Sequence, residues 1–341
     1  MPKLIHLPSR SSRQKLDAKP AIAIGISMAL IIGMLCSLCQ GSVPLTLDEV
    51  WQALGDRGLA QNQTIIWDLR LPRILAAAIV GAALGMSGGL LQGMLRNSLA
   101  DPFVLGISAG AGLVAIGCIT FSVASVYLPL GAWLGAMGTA AIVYILGYRA
   151  GTITAERLVL AGIAVSSLFG AMQTMMLLLN DESRLQSALN WLVGSLNGRG
   201  WSIVQVASPY VFAGLLAGCL LGRSINLLSL GDELAMSLGV SLVRTRLAIG
   251  LVASLLAGSA VSVAGLIGFI GLIVPHGIRM LVGNDYRWLL PLSAIGGALV
   301  LTLADLLARM GSVEFPVGVV TALCGSPVFI WLLYQRQSSR L

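Results

Sequence analysis

Ten apolar segments of about 20 residues, each nearly free of charged side chains, dominate this chain. A helix needs about 20 such residues to cross the roughly 30 Å hydrocarbon core of a bilayer. The segments lie near residues 21–41, 72–93, 103–121, 130–148, 158–179, 202–222, 247–264, 266–282, 289–308 and 317–334. With 57% hydrophobic and 10% charged residues, and no alternation of apolar and polar residues as in a β-barrel, the sequence predicts an all-α membrane protein.

The boundary near residue 265 is the least distinct, because Leu247 to Ile278 contain no acidic residue, lysine or arginine. One long helix, or one span with a re-entrant piece, is the alternative to two spans. Basic residues favour two. Ten spans place both termini and fifteen of the 21 lysines and arginines in the cytoplasm, whereas merging the two spans weakens this positive-inside bias.

The predicted organisation is a cytoplasmic tail over residues 1–20, one permease domain over residues 21–335 and a second cytoplasmic tail over residues 336–341. Short echoes such as "LPLGAWLGA" at 128–136 and "LPLSAIGGA" at 290–298 recur in the same order in spans 2–5 and 7–10. Equivalent spans are five apart, so the second copy is inverted. Inverted repeats are typical of transporters.

The sequence lacks the residues of several enzyme classes. The lysines are Lys3, Lys15 and Lys19, so no P-loop can form, and two histidines, His6 and His276, are too few for a metal site. Asp305 is the clearest intramembrane acid, and Arg309 four residues later predicts a local ion pair. We expect no catalytic, metal or cofactor site and no nucleic-acid partner, with energy supplied from outside the chain.

The longest predicted cytoplasmic loop contains a short amphipathic helix at Leu230–Val240. Asp232 and Glu233 fall in its first turn, where carboxylates favour the helix dipole. Leu230, Leu234 and Leu238 recur every four residues and form an apolar ridge suited to a partner's groove. The coupling residues predicted here are Leu230, Gly231, Asp232, Glu233, Leu234, Ala235, Leu238 and Gly239.

Several motifs taken together resemble the permease subunits of ABC importers for ferric siderophores, haem and cobalamin. The motifs are "LRLPR" at 69–73, "GAALGMSGGLLQGMLRNSLADPFVLGISAGAG" at 81–112, "NWLVGSLNGRGW" at 190–201, "LGDELAMSLGV" at 230–240, "GLIGFIGLIVPHGIRML" at 265–281, "LADLLAR" at 303–309 and "FPVGVVTALCGSPVFIWLL" at 315–333. They cover nearly the whole chain in the family's order.

The resemblance implies a bacterial cytoplasmic-membrane importer built from two permease subunits, identical or closely related. Two cytoplasmic ATPase subunits, which carry ATP and Mg²⁺, dock on the loop helix. A periplasmic or extracellular binding protein delivers the cargo. In the family, outer arginines pair with glutamates of that binding protein, and by motif position these are Arg70, Arg73 and Arg309.

The predicted topology places Arg70, Arg73 and Arg309 outside, against the positive-inside trend, so a docking function would explain them. Snorkelling at the interface is the alternative, and Asp305 could occupy Arg309 internally. Ferric siderophores are the expected cargo, with cobalamin and haem as alternatives. A stand-alone secondary transporter is the alternative of another class, and an inert membrane scaffold is a further one.

Overall fold

The computed structural model describes residues 10–41, 43–55, 57–149, 151–311 and 313–338, and its regular structure is almost entirely helical. The helices are α1 (Arg10–Cys39), α2 (Leu47–Leu54), α3 (Ala60–Thr64), α4 (Leu71–Met94), α5 (Ile107–Thr120), α6 (Leu128–Gly147), α7 (Ala155–Leu178), α8 (Glu182–Val193), α9 (Trp201–Leu228), α10 (Asp232–Ser237), α11 (Leu242–Ala264), α12 (Ile270–Val282), α13 (Tyr286–Ala308) and α14 (Val317–Ser338). A two-residue antiparallel hairpin, β1 (Tyr148–Arg149) and β2 (Thr152–Ile153), follows α6.

The predicted terminal tails lie partly outside the described residues, which omit 1–9 and 339–341. Where the termini are described, the helices run past the predicted domain limits. Helix α1 already begins at Arg10, and α14 continues to Ser338.

Each of the ten apolar segments coincides with a helix of the described chain, which confirms the predicted all-α membrane fold. Seven helical stretches in these residues are long and apolar enough to cross a membrane. Three further apolar helices are shorter, namely α5, α12 and the part of α14 up to Trp331. The 13 residues of α12 extend only about 20 Å at 1.5 Å per residue, so α12 alone is too short for a full crossing.

The segment around residue 265 forms two helices rather than one. Helix α11 ends at Ala264, and α12 begins at Ile270. Between them Gly265 and Phe269 both have positive φ, at 73° and 69°. A left-handed conformation is uncommon at a bulky residue such as Phe269. The two positive φ angles, which lie within five positions of each other, redirect the chain. The predicted break is therefore confirmed.

Helix α4 lies at the centre of the bundle and packs on α13, α11, α9 and α12. In lipid, helices associate through close packing and not through the hydrophobic effect, so small residues are needed where backbones touch. Gly81 and Gly85 of α4 face the backbone of α13, and Gly88 faces the carbonyl of Gly271 in α12. The glycines of the sequence thus serve helix packing in this region.

The helix packing agrees with the predicted inverted repeat. Helix α4 packs on α13, and its counterpart α11 packs on α6, so the first helix of each repeat lies on the third helix of the other. The second helices, α5 and α12, are both short. Each follows a residue with positive φ, Gly106 or Phe269.

Replacing Gly88 by alanine is expected to destabilise the bundle. The new Cβ would overlap the carbonyl oxygen of Gly271, and overpacking of this kind costs about 1–3 kcal/mol. We expect a lower midpoint of thermal denaturation in detergent. Gly170→Ala is the matched control, because no atom lies within 4 Å of a Cβ built at that position of α7. Equal midpoints for the two variants would contradict the packing described here.

Candidate functional site

Two groups of charged residues lie at opposite ends of α4. We name them the arginine end, which contains Arg70, Arg73 and Arg309, and the loop-helix end, which contains α10. Because α4 begins at Leu71 and ends at Met94, the two groups are separated by the length of a 24-residue helix.

Arg73 is the centre of the arginine end. Its Nε and a terminal nitrogen donate to Asp305 Oδ1 at 3.0 and 2.8 Å, so the two side chains pair through two nitrogens. Asp305 is 1% exposed and belongs to α13. The pair therefore joins the first turn of α4 to the last turns of α13, and paired guanidinium nitrogens give the strongest form of this bond.

Two more charged side chains complete this group. The second terminal nitrogen of Arg73 forms an ion pair with Glu314, which lies between α13 and α14 and is 38% exposed at its side chain. Arg309 Nε lies 3.2 Å from Asp305 Oδ2, which is the predicted local pair. Arg309 also donates to Ser37 Oγ near the end of α1. Asp305 thus serves two arginines.

Arg70 makes a different set of contacts. Its guanidinium donates to the carbonyl oxygens of Leu38 and Val43. Leu38 lies in the last turn of α1, where carbonyl oxygens lack partners within the helix, so Arg70 caps that helix. Arg70 itself ends a π-helical turn, Ile65–Arg70, that connects α3 to α4. Such turns are rare and frequent at functional sites.

The guanidinium groups of Arg70 and Arg73 are enclosed by the protein, since the two residues are only 5% and 9% exposed. The reason is that Asp305, Glu314 and the end of α1 already provide acceptors. The side chain of Arg309 is likewise only 8% exposed and has partners within the chain. Their role in docking a binding protein stays a prediction. The sequence indicated the Asp305–Arg309 pair through its spacing, but not the contacts across the chain.

At the loop-helix end, α10 is shorter than the predicted helix Leu230–Val240 and covers Asp232–Ser237 only. The flanking residues Gly231 and Gly239 have φ of 109° and 84°, which end the helix on both sides. Asp232 and Glu233 occupy the first turn as predicted.

The surface of this loop is apolar and exposed. Leu230, Leu234 and Leu238 are 54%, 57% and 58% exposed, although only Leu234 belongs to α10. The predicted ridge therefore appears as three exposed leucines in and beside a shorter helix. Ala235, in contrast, is fully buried and anchors α10 against the bundle.

Asp232 fixes the loop helix to the bundle. Its Oδ1 lies 3.0 Å from nitrogens of both Arg96, which follows α4, and Arg246, which belongs to α11. Arg246 has a side chain only 3% exposed and also donates to the carbonyl of Ile153. Sequence reasoning counted Arg96 and Arg246 only as topology signals. Their pairing with Asp232 joins residues 136 and 14 positions apart, and no local motif indicates it.

A cleft of about 650 Å³ lies beside Glu314 at the arginine end. It is lined by α8, the loop after α8, the end of α11 and the residues that precede α14, among them Trp191, Arg199 and Phe315. Burial lowers the pKa of the Arg199 guanidinium, which has no carboxylate partner among the described residues. No local pattern in the sequence indicates a cleft here, because its walls come from distant segments.

Among the described residues, no three histidine, cysteine or acidic side chains are grouped so as to hold a metal ion. The five cysteines are free thiols in the structure.

Asp305→Asn is expected to destabilise the protein strongly. The change leaves two arginines, Arg73 and Arg309, without a shared counter-ion, and breaking a buried pair costs about 3–5 kcal/mol. The measurement is thermal denaturation in detergent, where we expect the midpoint to fall by roughly 5 °C or more.

Asp181→Asn is the control for this prediction. It alters an exposed pair with Arg184, and exposed pairs contribute about 0–1 kcal/mol. Similar midpoints for Asp305→Asn and Asp181→Asn would show that the buried group does not stabilise the bundle.

Comparison with known proteins assigns the chain to a family. A model of the FecCD transport family matches residues 29–335. The chain is 40% identical over 335 residues to the hemin transport system permease protein HmuU of Yersinia pestis, covering 94% of this chain and 98% of that protein. It is 43% identical over 276 residues to the cobalamin import system permease protein BtuC of Halobacterium salinarum, covering 81% and 74%.

A solved structure described as an inward-facing metal-chelate type ABC transporter superimposes with a TM-score of 0.86. Its sequence is 32% identical, and the superposition covers 93% of this chain and 99% of that one. The match extends over nearly all the helices described above. The chain therefore belongs to the FecCD transport family and is a multi-pass membrane permease of the ABC importer type.

Proposed function

We propose that this permease moves a ferric siderophore-type iron chelate into the cytoplasm, driven by separate ATPase subunits. The observation that carries the proposal is the set of exposed leucines in and beside α10, a helix that Asp232 holds at the end of the bundle opposite the arginines. An importer needs a motor at one membrane face and a cargo source at the other, and the chain offers a distinct surface at each end.

The loop helix is the proposed contact for the ATPase. Its leucines are exposed to water in the isolated chain, and a groove on a partner would remove that apolar surface from water. Asp232 pairs with Arg96 and Arg246, so a movement of α10 acts directly on the ends of α4 and α11. The assembly has two such permeases, identical or closely related, and two ATPases that bind ATP and Mg²⁺. The permease is not itself an enzyme and binds no cofactor.

The arginine end is the proposed contact for the binding protein. Three arginines, Arg70, Arg73 and Arg309, lie there with two carboxylates, Asp305 and Glu314, and the one excess positive charge is that of Arg70, which bonds only carbonyl oxygens. Glu314 is the more exposed of the two acids, at 38% against 1%. A carboxylate of the binding protein can therefore replace Glu314 on Arg73 without disturbing Asp305. Such surface charges mainly steer and orient the partner.

The relatives guide the choice of cargo. One is named for hemin, another for cobalamin, and the structural neighbour for a metal chelate. All three candidate cargoes are metal chelates, and a ferric siderophore leads only because it is the commonest cargo of the family; haem and cobalamin remain the alternatives. The proposed location is the cytoplasmic membrane of a bacterium, with both termini and the loop helix in the cytoplasm. The positive-inside bias supports this orientation.

A stand-alone secondary transporter is the rival function. It would need an acidic residue in the membrane that binds and releases a coupling ion. Asp305, the candidate from the sequence, is held by Arg73 and Arg309, so a proton or sodium ion would have to displace two guanidinium groups. This observation argues against ion coupling.

The direct test is ATP hydrolysis by the importer in lipid, reconstituted with the ATPase and binding protein encoded beside this chain. Binding protein loaded with ferric siderophores, haem or cobalamin is added in turn. We expect one loaded form to stimulate hydrolysis and its cargo to be taken up. Uptake driven by an ion gradient, without any ATPase association, would contradict the proposal.

Leu234→Asp tests the loop helix. A charge in the centre of the ridge should reduce copurification of the ATPase about tenfold or more, since a desolvated charge at an interface costs several kcal/mol. Leu59→Asp is the control, because Leu59 is 73% exposed but lies before α3, near the opposite end. If both variants retain the ATPase equally, the loop helix is not the contact.

Glu314→Gln tests the arginine end, because replacing the buried Arg70 or Arg73 risks unfolding. Removing this competitor should tighten binding of the binding protein by up to about fivefold, the range of an exposed pair. The affinity is measured by surface binding to the importer in nanodiscs. A weaker affinity would mean that Glu314 itself contacts the partner and that the exchange on Arg73 does not occur.

A further inference from the structure

The walls of the cleft at the arginine end combine polar and apolar groups. They come from α8, the loop that follows α8, the end of α11 at Ala264 and the approach to α14. The polar lining residues are Ser187, Asn190, Ser195, Asn197, Arg199 and Glu314, together with the indole of Trp191. Apart from Arg199 and Glu314, none of these carries a charge.

Two donors in these walls have no acceptor. Trp191 is only 8% exposed, and its Nε1 is buried and makes no hydrogen bond. The Nε of Arg199 is likewise buried without a partner. An indole and a guanidinium only donate, and buried donors left unpaired are costly. Neither atom reaches the surface, so an acceptor supplied by a ligand would relieve that cost once the wall shifts to admit it.

The cleft contains one positive charge that no neighbouring carboxylate compensates. Glu314 is the acid in its lining, and Arg73 already holds that carboxylate. Arg199 makes no ion pair with any described residue. Because arginine stays protonated at every physiological pH, Arg199 contributes an uncompensated positive charge to the cleft.

We propose that this cleft binds an anionic oxygen group of the cargo, foremost a carboxylate, through Arg199 and Trp191. This inference rests on the proposed importer function and narrows its substrate to negatively charged chelates. A carboxylate accepts several hydrogen bonds at once, and a guanidinium is the side chain that matches it best.

The position of the cleft suits a first station for cargo. Glu314 lies in both the cleft lining and the Arg73 ion pair. A binding protein seated on the arginine end would therefore open its cargo site beside Arg199. With one arginine and a few neutral groups the cleft holds the chelate weakly, as release toward the pathway requires.

The test is equilibrium binding to the full-length chain in nanodiscs of uncharged lipid, without ATPase or binding protein. The probes are ferric citrate, which is anionic, and an uncharged ferric trihydroxamate. We expect ferric citrate to bind more tightly than the trihydroxamate. Arg199→Gln should weaken ferric citrate about tenfold or more, because it removes a charge-assisted hydrogen bond, whereas Arg199→Lys should retain part of the affinity.

Two further variants keep the test specific. Trp191→Phe retains an aromatic ring, removes the N–H and should weaken ferric citrate about twofold or more. Arg184→Gln is the matched control, since Arg184 lies on α8 at the same end but pairs with Asp181 and is not part of the cleft. Its affinity for ferric citrate should equal that of the unmodified chain.

Three binding results would overturn the inference. They are equal affinity for the charged and uncharged chelates, equal affinity of Arg199→Gln and Arg184→Gln for ferric citrate, or Arg199-dependent binding of phosphatidylglycerol added to the nanodiscs with none of ferric citrate. ATP-driven uptake of an uncharged chelate would also overturn it while leaving the importer function intact. Loss of ATPase association, in contrast, bears on the importer function alone.

Discussion

The close approach of α4 to α12 and α13 is the constraint on which the rest of the structure depends. Lipid provides no hydrophobic force between helices, so the bundle depends on helix backbones that stay in contact along much of their length. Gly81, Gly85 and Gly88 allow this contact. In the helical stretch that contains α4, 89% of the most apolar 18 residues are buried inside the protein. Helix α4 thereby becomes the fixed axis around which both repeats are arranged.

The charged groups at the two ends of α4 acquire their importance from this axis. Arg73 connects the beginning of α4 to α13 through Asp305, and Arg96 connects its far end to the loop helix through Asp232. A partner that moves the loop helix therefore also acts on the helices that hold the arginine end. Coupling of this kind requires each partner to favour one arrangement of the bundle over another, and the two ion-pair groups are where each partner's preference would act.

Much of the fold was accessible from the sequence because it depends on local patterns. Apolar length predicted the ten segments, and the distribution of basic residues favoured the break that separates α11 from α12. The spacing of Leu230, Leu234 and Leu238 also drew attention to a loop whose leucines are exposed. The spacing of Thr46 and Glu49 is a further local signal, because these two residues form the capping box that begins α2. Contacts between distant segments, such as Arg73 with Asp305 or the walls of the cleft at Trp191, depend on tertiary packing and carry no local signature.

Site-specific photo-cross-linking in the assembled importer tests the central claim most directly, namely that opposite ends of this bundle receive different partners. A photoreactive phenylalanine analogue is placed at Leu234 in one variant and at Phe315 in another; both positions are exposed, at 57% and 54%. We predict that Leu234 captures the ATPase and not the binding protein, and that Phe315 captures the binding protein and not the ATPase. Capture of the ATPase at Phe315, or of the binding protein at Leu234, would contradict the account.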